Sequence, residues 1–347
     1  MSVGSVVFHE RAAWRTGRTV SPTLAFEDGT ARVRPYAVCR YPNAIVTRVR
    51  LRFPLIAVLL FATNAATQSR MIHLGARATS MGGAFTGVAD DSTAFYWNPA
   101  GIAFGAFLGA GIYHGREQSD RGGRMFEDRA SGLSLEYTFM GVAFTQFRQS
   151  VGVDSDHRGL DTFDVAVSVL QSLPIDNLVV AANVHYLSGT TSLGDVQSGS
   201  SSWDVDLGVM YEHNGFFRAG LMLSHLREAR FVLPDDERLR VPRHARAGIS
   251  FRLPQSFLIA FDADLSTQGP SSDTWREISL GAEKGFLDRR LFIRGGLRAE
   301  AGSNLGSRPA LSLGVGVQFW KLELEAAYLA SSSSRDEAYW VGLSLAR

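Results

Sequence analysis

Cysteine is almost absent from this chain: Cys39 is the only one in 347 residues. A single thiol forms no internal disulfide, and Cys-ligated zinc needs more than one. Cys39 follows Tyr36-Ala37-Val38 rather than an apolar run, so it does not read as a lipoprotein acylation site. Lysine is nearly as scarce, with only Lys284 and Lys321, and no clustered basic face for nucleic acid is evident. The apolar run 53–63 is about eleven residues long, short of the roughly 20 that a transmembrane helix requires. Catalytic signatures are missing too: no Gly-x-Ser-x-Gly elbow, no His-Glu-x-x-His pair, no phosphate loop followed by Lys. The stretch 82–87 has the wrong glycine spacing for a dinucleotide. His73, His114, His157, His185, His213, His225 and His244 are scattered near gaps and segment ends, and read as solvated loop or rim side chains. No enzyme, metal site or cofactor is expected.

What the chain does have begins with a processing signal. Residues 47–52 are basic, 53–63 are apolar, and Asn64, Ala65, Ala66 and Thr67 are small. That order is a secretory signal peptide over 46–66, with cleavage expected before Ala66 or Gln68. Residues 1–45 lie upstream without clear periodicity and read as an extension from a start assigned too early, Val46 or Val49 being alternative starts. The net charge of +1 hides an asymmetry: residues 1–66 hold nine arginines against Glu10, Glu27 and Asp28, leaving about −5 for the remainder.

From 105 to 347 the chain divides into about fourteen alternating segments. The connections between them alternate long and short. The long ones are 114–130, 150–161, 188–201, 226–242, 266–273, 300–308 and 331–336; the short ones lie near 140, 172–176, 212–215, 254–255, 286–288 and 320. A closed antiparallel transmembrane β-barrel sorts its connections in this way, with tight turns at one rim and loops at the other. The expected fold is therefore all-β, with fourteen strands, or twelve if the weakly alternating first segments are discounted. In a strand, neighbouring side chains point to opposite faces. Phe257, Ile259 and Phe261 oppose Asp262 and Asp264, and Trp203, Val205 and Leu207 oppose Asp204 and Asp206. Leu291 and Ile293 oppose Arg294 and Arg298; Leu322 and Leu324 oppose Glu323 and Glu325; Arg246 and Glu283 fall on the same polar side of their segments. An Arg facing lipid at mid-depth costs about 2–4 kcal/mol, so these ten charges are expected to face the lumen and pair across strands. Tyr113, Tyr137, Phe139, Tyr186, Trp203, Tyr211, Phe216, Trp275, Phe319, Trp320, Tyr339 and Trp340 gather at segment ends, as interfacial girdles do. An even strand count puts both mature termini at the short-turn rim, which is periplasmic in a bacterial outer membrane.

Residues 71–103 differ from everything after them, being dominated by Gly, Ala and Ser. Asp90-Asp91-Ser92 can cap a short helix over 92–97, and Pro99 should stop it at Asn98. Two adjacent carboxylates alone make a poor metal site. The order Gly-Ala-Arg-Ala, Met-Gly-Gly-Ala, Ala-Asp-Asp and Ala-Phe-Tyr-Trp-Asn-Pro-Ala-Gly between Gly75 and Ile102 resembles the N-terminal signature of the FadL-like outer-membrane superfamily, nearest its PorV/PorQ branch. The resemblance implies a fourteen-stranded barrel with an N-terminal lumenal hatch, here 67–104, preceding a barrel at 105–347. It implies that Gly75, Ala76, Arg77, Met81, Gly82 and Gly83 belong to the hatch, and that Asp90, Asp91, Asn98 and Pro99 fix the turn into the first strand. The PorV-like branch implies a secretion-associated barrel that binds cargo or partner proteins; the wider superfamily implies hatch-gated passive transport of small hydrophobic molecules. Expected partners are outer-membrane lipids, the barrel-insertion machinery, and either secretion components with cargo or a small hydrophobic ligand. Two features depart from the pattern. The longest outer gap is about 17 residues, so any outer hydrophobic groove would be small, and the chain ends Leu345-Ala346-Arg347 without a terminal aromatic.

Expression from Val46 should yield the same mature protein as the full reading frame. Intact-mass measurement of purified protein should place the first residue at Ala66 or Gln68; a start upstream of residue 60 would refute the signal-peptide reading.

Overall fold

A computed structural model describes residues 73–347, apart from 122–123, 154–155, 235–237, 270–273, 305–306, 332–335 and 346–347. Its strands are β1 (Leu108–Arg121), β2 (Arg124–Tyr137), β3 (Met140–Val153), β4 (Asp156–Ser172), β5 (Leu178–Leu193), β6 (Val196–His213), β7 (Phe217–Ser224), β8 (Arg230–Val232) and β9 (Arg238–Arg240). They continue as β10 (His244–Leu253), β11 (Phe257–Asp264), β12 (Arg276–Phe286), β13 (Leu291–Ala301), β14 (Ala310–Phe319), β15 (Leu322–Ser331) and β16 (Glu337–Leu345). Fourteen of them, all except β8 and β9, form one closed antiparallel barrel in which β16 returns to β1. Closure gives each barrel strand a hydrogen-bonded neighbour on both sides, so none of the fourteen is an edge strand. The large side chains outside are apolar, including Ile112, Leu133, Val167, Val184, Leu207, Phe261, Ile293 and Leu313. An outward apolar belt around a closed barrel is the surface that membrane-spanning barrels turn to lipid.

The short connections lie where the sequence puts them, but three of the long ones do not exist as loops. β1 and β2 run on to pair Arg121 with Arg124, β3 and β4 pair Val153 with Asp156, and β5 and β6 pair Leu193 with Val196. Strands β1–β6 are consequently 14–18 residues long, well beyond the 9–11 needed to cross a bilayer. They form a raised wall on one side of the barrel. Eight of the twelve end-of-segment aromatics are exposed on the outside, Phe319 and Trp320 most of all. Tyr211 is half-buried. Tyr113, Trp275 and Trp340 are the exceptions: they are buried, with parity that turns them inward. A residue's distance from a segment end indicates its depth in the bilayer; only parity indicates its face.

Residues 73–104 pack against the inner face of the barrel and are almost entirely buried. They comprise α1 (Ala76–Ser80), α2 (Ala94–Trp97) and a 3-10 helix (Pro99–Phe104). Eight inward-facing barrel positions that meet this segment are glycine: Gly111 abuts Ser92, Gly141 abuts Phe95, and six more lie on β6–β14. Gly208 abuts Asn98 and Pro99, Gly220 abuts Thr86, Gly248 abuts Gly87, Gly281 abuts Met81, Gly296 abuts Met81 and Gly82, and Gly314 abuts Ser80. A β-carbon at any of them would overlap the segment. At Gly296 the obstacle is backbone on both sides, so no rotamer change relieves it.

Gly296→Val should therefore destabilise the packed segment by about 1–3 kcal/mol. The expected readout is protease cleavage between 73 and 104 in a barrel that still migrates heat-dependently on gels. Unchanged protection would contradict the packing described.

Candidate functional site

The lumenal charges are organised around the N-terminal segment. The ten predicted from alternation (Asp204, Asp206, Arg246, Asp262, Asp264, Glu283, Arg294, Arg298, Glu323 and Glu325) are all buried, none more than 9% exposed. Arg77 of α1 lies 2.7 Å from Glu283 on β12 and 2.7 Å from Asp90. The other oxygen of Asp90 takes Arg218 at 2.9 Å and Arg252 at 2.5 Å. Arg294 links Glu283 at 2.7 Å to Glu323 at 2.7 Å and Glu325 at 2.8 Å. On the opposite flank, Arg246 pairs with Asp264 at 2.8 Å, Glu277 at 3.1 Å and Asp262 at 3.2 Å, and donates to the Gly83 carbonyl at 2.9 Å. Asp262 accepts the Phe85 and Thr86 amides at 3.0 and 2.7 Å. Arg298 joins Glu117 at 3.0 Å and also contacts His73, whose Nε2 lies 2.8 Å from Glu277.

The segment residues singled out in the sequence fall within this arrangement. Gly75, at φ 97°, precedes α1, which carries Ala76 and Arg77 and ends at Met81; Gly82 and Gly83 follow at φ 67° and 83°. Asp90 and Asp91 do not cap the next helix as expected. The N-cap is Thr93, without a side-chain cap bond, and α2 covers only Ala94–Trp97. Asp91 accepts from the Thr93 amide at 2.9 Å and from its hydroxyl at 2.6 Å. Asp90 serves instead as a counter-charge for three arginines, a partnership worth more than one exposed cap bond. Asn98 accepts from the Ala100 amide at 3.2 Å and donates to the Thr86 and Val209 carbonyls at 3.1 and 3.0 Å. Pro99 opens the 3-10 helix that leads towards β1.

Above the segment lies a cavity of about 110 Å³. Its apolar wall is Tyr96, Phe147, Leu160, Leu187, Phe231 and Val241; its polar side is Thr162, Asp164, His185, Asp206, His225 and His244. The connection expected as an outer loop over 226–242 turns inward in its described parts, 225–234 and 238–243. Its small β8–β9 hairpin buries Phe231 against Leu160 and Leu187. Asp204 anchors the turn, accepting the Arg227 and Ala229 amides at 3.0 and 3.3 Å and facing His225 Nδ1 at 3.1 Å. Asp206 accepts the His225 amide at 2.8 Å. His185 sits between Asp164 and Asp206, at 3.0 Å from each. The sequence reading of the histidines as solvated rim groups fails here: His73, His185 and His244 are buried inside the barrel. The inward parity of His185 and His244 was available in the alternation of β5 and β10. Arg218, Arg252 and the glycines on β6–β14 were also missed, because Asp90 and the other segment residues they meet lie more than a hundred residues away in the chain.

No family model matches the sequence, and no curated protein matches it. Solved structures do match in fold. A Pseudomonas aeruginosa FadL homologue superposes with TM-score 0.62 at 11% identity, covering 78% of this chain and 98% of that one. The Ralstonia pickettii toluene transporter TbuX gives 0.60 at 14%, covering 80% and 99%. The CymD monoaromatic hydrocarbon channel gives 0.57 at 15%, covering 79% and 97%. The chain thus has the fold of FadL-type barrels.

His225 lies just beyond β7, outside the spanning strands. Burial alone would push its pKa down, but the hydrogen bond to Asp204 and the charge of Asp206 outweigh burial and opposing His185, holding it above the ordinary value. A raised folded-state pKa means that the charged ring stabilises the docked turn. That contribution is complete below about pH 6.5 and is lost as pH rises through the folded value. Hydrogen exchange at the Arg227 and Ala229 amides should accelerate above neutrality by more than the intrinsic pH effect. His225→Gln should remove the excess; equal pH dependence in both proteins would refute the assignment.

Proposed function

We propose that this chain is a non-enzymatic outer-membrane barrel that admits small hydrophobic molecules, with residues 73–104 acting as a lumenal hatch. The observation that carries the reading is the small, largely apolar-walled cavity whose base is formed by Tyr96 of that segment. The fold it shares with a toluene transporter and a monoaromatic hydrocarbon channel supports the same reading. In this reading the short-turn rim and both barrel termini are periplasmic, and the raised β1–β6 wall stands on the outer side. The Gly75–Ile102 signature supports membership of the FadL-like superfamily. The PorV/PorQ branch, and with it a cargo-binding role in secretion, rests on that stretch alone and has no further structural feature in its favour.

Expressed in a host whose outer membrane resists hydrophobic solutes, the protein should raise toluene uptake above an empty-vector control, and Val241→Trp, which fills the cavity, should return it to baseline. No increase over the control would overturn the reading. A secreted protein retained on the gently extracted barrel would favour the secretion role instead.

A further inference from the structure

The short-turn rim carries a charge asymmetry that closing a barrel does not require. We infer that the sector of this rim between β12 and β15 binds the headgroup of an anionic phospholipid, a phosphodiester with no cationic group of its own, in preference to a zwitterionic one. The inference is independent of what passes through the lumen.

Between their strands, the turns β2–β3, β4–β5, β6–β7 and β10–β11 hold a single charged residue, Asp176. The β12–β13 turn holds Asp288, Arg289 and Arg290, and the β14–β15 turn holds Lys321. Lys284 lies close before the end of β12, so both lysines of the chain fall in this one sector. The two turns are neighbours, since the Gln318 amide donates to the Arg290 carbonyl at 2.8 Å. Lys284 donates to the Gln255 carbonyl in the turn beside them. Among the described residues no acidic side chain pairs with any of these four cations, Asp288 included. The lumenal arginines differ: Arg246 holds Asp262, Asp264 and Glu277, and Arg294 holds Glu283, Glu323 and Glu325. The rim cations therefore keep their charge available to an outside partner.

Parity and exposure point to a lipid as that partner. Lys284 stands in the outward row Phe257, Lys284, Ile293 and Val315. Its stem leaves the lipid-facing belt and its amine runs to the rim, as snorkelling lysines do. Beside the cations, Leu287 is 72% exposed and Trp320 80%. The Lys321 amine lies 6.0 Å from the Trp320 ring centre and the Arg289 guanidinium 5.8 Å from that of Phe292. Such contacts steady a cation without neutralising it. Turn geometry does not account for these residues either. Leu287, Asp288, Arg289 and Trp320 have φ of 51°, 54°, 66° and 56°, a left-handed backbone that glycine adopts at least cost. Exposed apolar side chains next to unpaired cations match an anionic lipid, whose acyl chains meet the first and whose phosphate meets the second. The ammonium of a zwitterionic headgroup would bring a like charge into the same sector.

The test is native mass spectrometry of the protein purified from its membrane, in micelles holding equal amounts of phosphatidylglycerol and phosphatidylethanolamine. Phosphatidylglycerol should be retained about tenfold over phosphatidylethanolamine, the scale of one to two cations beside an anionic headgroup. The ratio should shrink as ionic strength rises. Lys284→Gln, Arg289→Gln, Arg290→Gln and Lys321→Gln combined should bring it to about one, with heat-dependent gel migration checking that the barrel is intact. Arg116→Gln, Arg129→Gln and Arg148→Gln combined should leave it unchanged, because those outward arginines lie towards the other rim and are paired with Glu127 and Asp161. Equal retention of the two lipids by the unmodified protein overturns the inference. So does a preference that survives the four-site variant, or one that the three-site variant loses as well. An acidic protein that co-purifies and is released by the four-site variant, without any lipid preference, overturns the lipid in favour of a protein partner.

Discussion

A strand that crosses lipid has one face on which a charge can be held, and the rest of this structure depends on that constraint. Turning every ionisable side chain inward crowds the lumen with Arg, Asp and Glu that have lost most of their water. Pairing within the wall meets part of the demand: Arg246 opposes Asp264, and Glu283 opposes Arg294 across adjacent strands. It does not meet all of it. Asp262 gains two backbone amides from the N-terminal segment, and Glu283 gains Arg77. The segment is therefore counter-charge as well as filling. Breaking a buried pair from one side costs about 3–5 kcal/mol, so the wall and the segment hold each other in place.

Shape and charge requirements alternate along the same strands. On β13, Gly296 sits between Arg294 and Arg298 on the inner face, and on β10 Gly248 sits between Arg246 and Ser250. The glycine lets the segment's backbone approach, and the flanking side chains then reach atoms that only a close backbone could present. Arg246 binds the Gly83 carbonyl and Ser250 the Gly87 carbonyl in this way. A larger residue between them would move the segment out of range of both. Neither the glycine nor the charge suffices alone.

This logic also explains what could be read from the sequence. The barrel, its strand count and the face of each charge were legible because lipid makes one face apolar, and the resulting period of two is strong. Beyond the lipid that contrast vanishes. On β1 the outward series Ile112, His114, Arg116, Gln118 turns polar while the inner face carries Glu117 and Ser119. With both faces polar there is no alternation to see, and the top of a strand reads as a loop. Asp90 was misread for a related reason: a local capping rule applies to any Asp before a helix, whereas Arg218 and Arg252 are brought to it only by barrel closure. The inward turn that begins at 225 left no local signature at all, since its anchors, Asp204 and Asp206, lie about twenty residues back on β6.

The same energies bear on how a molecule could pass. Very small ligands reach at most about 1.5 kcal/mol per heavy atom, so a one-ring molecule has a ceiling near 10 kcal/mol and in practice far less. Expelling residues 73–104 would break the bonds from Arg77 to Glu283, from Asp90 to Arg218 and from Asp262 to the Thr86 amide together, at several kilocalories for each buried ion pair. A ligand can shift an equilibrium only by its difference in affinity for the two states. Occupancy of the cavity therefore cannot eject the whole segment. What it can move is the part that lines the cavity, which is Tyr96, half-buried against Phe147 and Trp97. Passage, if it begins in this cavity, begins with a local displacement at that ring, while the charged clamps below it stay closed.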